Sequence, residues 1–237
     1  MKPDPTAAAD TRMMGLVHDA LRRDLTRARA ELTTAPYPRD AQRVAIGEHL
    51  GWMMGFLHNH HSGEDDGLWP LVLRRNPSAS ALLADMDADH TRIAPAVALV
   101  ESGAGQYGST ASDDARIALL AAIDELEDVL LPHLRREEAE AMPVVSASIS
   151  QAEWSAWDQE FNIKSKTLTQ LGAEGHWLLD GLDPARYRLV THLVPAVARF
   201  ILVHGFARRY RRQADARWTG KTPSTAAGRA TAELDTA

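Results

Sequence analysis

Four long stretches of the chain each carry apolar residues at three- and four-residue spacing, and this periodicity limits the fold more than any other feature. That spacing lays one stripe along one face of a helix. The first stripe runs Met14, His18, Leu21, Leu25, Ala28 and Leu32. The second runs Ile46, Leu50, Met53, Leu57, His60, Glu64, Leu68 and Leu71. The third is Leu83, Met86, His90, Ile93, Val97 and Val100, and the fourth Leu119, Ile123, Leu126, Leu130, His133 and Glu137. Between them lie Ala35-Pro36-Tyr37-Pro38, Asn76-Pro77-Ser78 and the glycine-bearing run Ser102 to Ser112, all read as turns. Asp10, Asp40, Ser78 and Ser112 are candidate N-caps. No stretch alternates with period two over a strand's length. The expectation is an all-α fold, an up-down-up-down four-helix bundle.

Histidines and glutamates fall on stripes that should be core. A buried carboxylate costs several kcal/mol or more unless a cation or hydrogen-bond donors meet it. Here every stripe carries at least one such residue. With ~1.5 Å of rise per residue, alternating helix directions bring His18, His60, His90 and His133 to roughly one level. His60 and Glu64 are four residues apart, as are His133 and Glu137, so each pair faces one way and offers one nitrogen and one oxygen. The chain has no cysteine, which excludes disulfides, thiolate metal sites and a cysteine nucleophile. Four imidazoles and two carboxylates are too many for one tetrahedral zinc. They suit a pair of octahedral-preferring ions, and the nitrogen and oxygen donors suit non-haem iron. The expected metal set is therefore His18, His60, Glu64, His90, His133 and Glu137.

At these residues the sequence resembles the hemerythrin-like HHE cation-binding family. His60-His61-Ser62-Gly63-Glu64-Asp65-Asp66-Gly67-Leu68-Trp69-Pro70 is similar to the family's His-His-x-x-Glu-Glu-x-x-Leu-Phe-Pro signature. The order of the six residues across four helices matches too, over about residues 10–143. The resemblance implies two non-haem iron ions with an oxo or hydroxo bridge. On that reading His18, His60, His90 and His133 are terminal ligands and Glu64 and Glu137 bridge. It further implies a protein that binds or senses O2 or related small oxidants such as nitric oxide and peroxide. A di-iron peroxidase, a catalase-like or nitric-oxide-consuming enzyme, and an iron-responsive interaction module are the alternatives. Oxygen-carrying members have a second third-helix His one turn on. This sequence has Ala94 there, which leaves the set one nitrogen short. Water, His61 or another side chain would fill that place. Fewer protein ligands favour reactivity over reversible carriage.

Neighbouring residues carry two readings each. His61 is either a seventh ligand or a residue beside the site. His49 and His58 read as solvated. Asp19, Asp65, Asp89 and Glu138 adjoin ligands and either orient imidazoles or are plain surface charges. Trp52, Phe56 and Trp69 read as packing, and Arg135 and Arg136 as outward-pointing.

Charge divides the chain. Residues 1–148 carry a net −9 and residues 149–237 a net +3, within a total of −6. The expected organisation is a metal-binding bundle over 1–148, a helical C-terminal extension over 149–218 and a disordered tail over 219–237. Ser146 to Ser150 reads as a linker, and Ser150 with Glu153 as a capping box. Helices are expected from Gln151 to about Leu171, over Glu174 to Leu179, from Asp183-Pro184, and from Val194 to Arg217. The last carries Val194, Val197, Ile201, His204 and Phe206, then Arg208, Arg209, Arg211 and Arg212. Trp154, Trp157, Phe161 and Trp177 add apolar surface. This part is expected to pack on the bundle or pair two subunits as a homodimer; an anionic membrane surface is less favoured and nucleic acid least. No apolar leader is visible and no apolar run reaches membrane length, so the cytoplasm is the expected compartment.

Overall fold

A computed structural model describes residues 4–193 and 206–220. Its ordered elements are helices: α1 (Arg12–Thr33), α2 (Asp40–Gly63), α3 (Trp69–Arg75), α4 (Ser80–Ser109), α5 (Asp113–Arg136), α6 (Met142–Ser148), α7 (Gln151–Asp158), α8 (Leu168–Leu179), α9 (Pro184–Leu193) and α10 (Ala207–Arg217). Among the described residues the only β pairing is an isolated bridge between Ala8 and Ser150. No described helix is long and apolar enough to cross a membrane.

The four stripes form the core. α2 packs on α4, α4 on α5 and α1 on α5. Two apolar clusters result. The first holds Leu21 and Leu25 of α1, Leu50, Met53 and Leu57 of α2, Ile93 and Val100 of α4, and Leu126 and Leu130 of α5. The second holds Met14, Leu68, Trp69, Val72, Leu83, Met86, Ala141, Met142 and Val145. Met14 of α1 and Leu83 and Met86 of α4 belong to the second cluster and later residues of both helices to the first; along α2 and α5 and their continuations the order is reversed. On every helix the His or Glu of the stripe lies near the changeover between the two.

One stripe changes register. The backbone widens by one residue over Glu64–Leu68, where the Trp69 N–H bonds the Glu64 carbonyl, and again over Glu137–Ala141, where Met142 bonds Glu137. These are single π-turns, rare in general and frequent at functional sites. Each leads directly into a proline, Pro70 or Pro143, whose ring cannot continue an ordinary α-turn. The extra residue rotates the next stretch of helix about its axis. Val72 is therefore fully buried where the unbroken spacing predicts Leu71, which is only partly covered.

The glycine-bearing run Ser102 to Ser112 is not a turn: α4 continues through it to Ser109. Within it Gly108 serves close packing against α2. A Cβ on Gly47 of α2 would lie 2.7 Å from the Ala104 carbonyl oxygen and 3.0 Å from Gly108 Cα. Of the four candidate caps, Ser112 accepts the Ala115 N–H. α1 is instead preceded by Thr11, Asp40 is the first residue inside α2, and Ala79 precedes α4.

The C-terminal part lies on the bundle. Ser146 to Ser150 is no free linker: α6 runs to Ser148, and Ile149 and Gln151 pair with the backbone of Ala9 and Ala7. The Ser150–Glu153 capping box is formed. The helix expected to reach Leu171 stops at Asp158 and opens into a wide turn over Gln159–Ile163; Thr167 then caps α8, which holds the Glu174 to Leu179 stretch. Asp183 accepts the N–H groups of Ala185 and Arg186 at the start of α9, as expected. Trp177 is wholly buried in the first cluster, and Trp154 and Trp157 in the second. Arg208, Arg209, Arg211 and Arg212 are exposed on α10. Val194, Val197, Ile201 and His204 lie outside the described residues, as does the tail from 221 on. Thr219, placed in that tail by sequence, donates to Glu31 from its backbone N–H and hydroxyl, at 2.5 and 2.7 Å.

Candidate metal centre

The layer between the two clusters is polar and nearly dry. His18, Glu64 and Glu137 have no exposure above 0%, His133 has 2%, His90 5% and His60 6%. All six expected ligands thus meet at one level. They also face one another. Glu64 presents Oε1 3.3 Å from His60 Nε2 and Oε2 3.5 Å from His90 Nε2. Glu137 Oε2 lies 3.3 Å from His18 Nε2 and 3.5 Å from His133 Nε2. The His90 and His133 Nε2 atoms are 3.2 Å apart.

Most of the inward atoms are left without hydrogen bonds: Nε2 of His18 and His60 and both oxygens of each glutamate. Unpaired buried polar groups cost about 1–3 kcal/mol each, more when charged. So many, converging from four helices, mark a place built for a cation. The donors are imidazole nitrogen and carboxylate oxygen, which fits non-haem iron and similar divalent ions.

Two of the outward nitrogens, those of His18 and His90, are held by carboxylates. His18 Nδ1 meets Glu138 at 2.7 Å, and Arg22 donates to the same oxygen at 2.9 Å. His90 Nδ1 meets Asp65 at 2.7 Å. His133 Nδ1 lies 3.5 Å from Asp89, which is also clamped by Arg92 and Arg136. Such partners fix the tautomer that turns Nε2 inward with its lone pair free. Two of the four adjoining acids, Glu138 and Asp65, therefore orient imidazoles, while Asp89 is taken up by Arg92 and Arg136 and leaves His133 Nδ1 without a hydrogen bond. The fourth, Asp19, pairs with Arg22 and Arg186 instead.

Burial sets the protonation of the bare donor set. It drives His60 down to about 3 and His133 to about 4, so both are neutral and competent to bind a metal at neutral pH. Burial would lower His18 as well, but Glu137 and Glu138 outweigh it and hold it up to about 9. Glu64 is pushed well above the usual carboxylate range by burial and by Glu137 facing it. Glu137 goes the other way despite burial, because His18 stands against it.

His61 enters the site as well. It is 7% exposed, its ring stacks on His90 with 4.0 Å between centroids, and its Nε2 has no partner. One nitrogen from each of His61, His90 and His133 fall within 4.8 Å of one another. The sequence left this residue open because it is one position off the stripe.

Two expectations fail. His49 is buried, not solvated: it meets Asp24 at 2.7 Å, and Asp24 also accepts the Trp177 indole N–H at 2.9 Å. The residue that draws it inward is on another helix, invisible to the periodicity of α2. Arg136 turns back onto Asp89 and the Asp85 carbonyl rather than outward. His58 is exposed as expected.

These features define a helical bundle with a buried cation site of histidines and carboxylates. The model of the hemerythrin HHE cation binding domain matches residues 10–145, more than half of the chain. The protein belongs to that family. Comparison with curated proteins and with solved structures gave no match.

Proposed function

We propose that this chain is a hemerythrin-like non-haem di-iron protein that binds or senses O2 or a related small oxidant such as nitric oxide or peroxide. The observation that carries the reading is the pair of buried, facing carboxylates whose four oxygens are unpartnered among inward-turned imidazole nitrogens. Glu64 faces His60 and His90 together, and Glu137 faces His18 and His133 together, so each carboxylate is placed to serve two metal positions. Bound iron supplies a reversible change of oxidation state and a coordination position for a small ligand. The residues of the chain do the rest. The apolar clusters above and below exclude water from the layer. Glu138 and Asp65 hold the His18 and His90 rings in orientation. The alternating directions of α1, α2, α4 and α5 support an up-down-up-down bundle as its frame. We read 1–148 as the metal-binding unit and 149–218 as a helical extension laid over it.

Metal analysis and visible spectroscopy of purified protein test this. Two irons per chain with charge-transfer bands of a bridged pair are expected. Zinc, or no metal, in protein grown with adequate iron would sink the proposal. Anaerobic reduction followed by O2 then separates a carrier or sensor, with a stable reversible adduct, from an enzyme that turns over peroxide. His60→Ala and Glu137→Ala are each expected to lower iron content and thermal midpoint together, because the ligands are also core. Unchanged iron in both would refute the ligand set.

A further inference from the structure

We propose that His61 is itself a metal ligand, the third imidazole of one of two unequal metal positions. The proposal rests on the di-metal reading above.

Consecutive residues on a helix point about 100° apart, so His60 and His61 address different sides of one site. His60 turns towards α1, where its ring lies 5.7 Å from that of His18. His61 turns towards α4 and α5, with its ring 4.0 Å from His90 and 5.3 Å from His133. The imidazoles thereby sort into a pair, His18 with His60, and a trio, His61 with His90 and His133. Both glutamates straddle the two groups: Glu64 faces His60 of the pair and His90 of the trio, and Glu137 faces His18 and His133.

A packing role does not account for His61. Its Nε2 is buried and unbonded, which is costly unless something with an empty orbital or a proton meets it. The group of ligand atoms formed by His61, His90 and His133 is compact, all within 4.8 Å. Ala94, one turn beyond His90, is exposed and sends nothing inward. The nitrogen that the third helix does not provide comes from the second. One metal position then has three protein nitrogens and the other two, and both share the carboxylates.

The test uses the full chain loaded with Co(II), read by visible absorption and by hyperfine-shifted proton NMR. Wild type should take up two Co(II) in two resolved steps and show five distinct histidine rings shifted by the metals. Four shifted rings with two Co(II) bound would overturn the role of His61 and leave the di-metal reading standing. Failure of wild type to bind two ions would overturn both. His61→Ala should weaken one Co(II) step at least tenfold in chelator competition and spare the other, and added imidazole should restore it. A variant with wild-type affinity and spectrum counts against the proposal. His58→Ala, exposed one turn away, is the control and should bind as wild type does. If His61→Ala does not fold, the ring count on wild type decides alone.

Discussion

Glu138 makes no contact with the inner donor atoms, yet it sets the direction of one of them. Its carboxylate takes the His18 Nδ1 at 2.7 Å while Arg22 holds it from behind. Glu138→Gln keeps the shape but not the charge, and should weaken metal binding about 10–100-fold in competition titrations. Fold and thermal midpoint of the metal-free protein should hardly move. Asp24 is the other residue with an outsized effect. It is fully buried and is met by His49, Trp177, Arg23 and Arg27. Burial favours its neutral form, but these partners win and hold its pKa well below the ordinary 3.8. The folded protein thus takes up this proton less readily than the unfolded chain. Its stabilising effect is complete above about pH 5 and is lost as pH falls below about 4. Asp24→Ala should cost about 3–5 kcal/mol at neutral pH by urea unfolding, since it strands the buried His49 and Trp177 donors and unpairs the half-buried Arg23 and Arg27. The gap from wild type should narrow at pH 3. An equal gap at both values would show that the carboxylate charge contributes nothing.

At the scale of elements, the close approach of α2 and α4 depends on glycines that composition alone marks as turn-formers. Gly47→Ala gains at most about 1 kcal/mol of helix propensity. Its new methyl would press on the backbone of Ala104 and Gly108, which cannot swing aside as a side-chain end could. Overpacking costs about 1–3 kcal/mol, so net destabilisation is expected in thermal melts. The wide turns after His60 and His133 belong to this scale too. In each, the proline comes six residues after the glutamate and ten after the histidine, a repeat readable in the sequence once its meaning is known. Against the first of them rests the C-terminal part: Trp157 donates to the Gly63 carbonyl at 2.8 Å, and the Phe161 ring covers Gly63 and Gly67. A Cβ on Gly67 would fall 2.4 Å from that ring, so Gly67→Ala should displace Phe161 and raise its exposure to solvent quenching in a Phe161→Trp reporter background.

Over the whole molecule, the last helix of the extension and the metal layer occupy different levels of one bundle. α10 lies against α2 and α8, and Trp218 meets His49, three turns before His60. Truncation before Phe206 should therefore leave metal stoichiometry unchanged while lowering the thermal midpoint, because Tyr210 leaves the core cluster and Glu31 loses Thr219. Trp177→Ala goes deeper. It opens a cavity in the first cluster and removes a donor from Asp24, and should cost about 3–5 kcal/mol in urea unfolding.

The helical class of the fold and the shared face of His18, His60, Glu64, His90, His133 and Glu137 with the apolar stripes were determined by local periodicity, since 3.6 residues per turn fixes which side chains share a face. The cap at Ser112 and the box at Ser150 were equally local, set by side-chain oxygens within three residues of the N–H groups they accept. What it could not reach depends on contacts between helices. Whether His61 looks into the site is decided by where α4 and α5 stand, whether His49 is buried by Asp24 on α1 and Trp177 on α8, and whether Gly103 to Gly108 are turn or helix by how near α2 comes. Which of Leu71 and Val72 faces the core turns on one extra residue in a widened turn. Spacing along a chain specifies directions around one axis; the choice among neighbouring directions is made only when the other helices take their places.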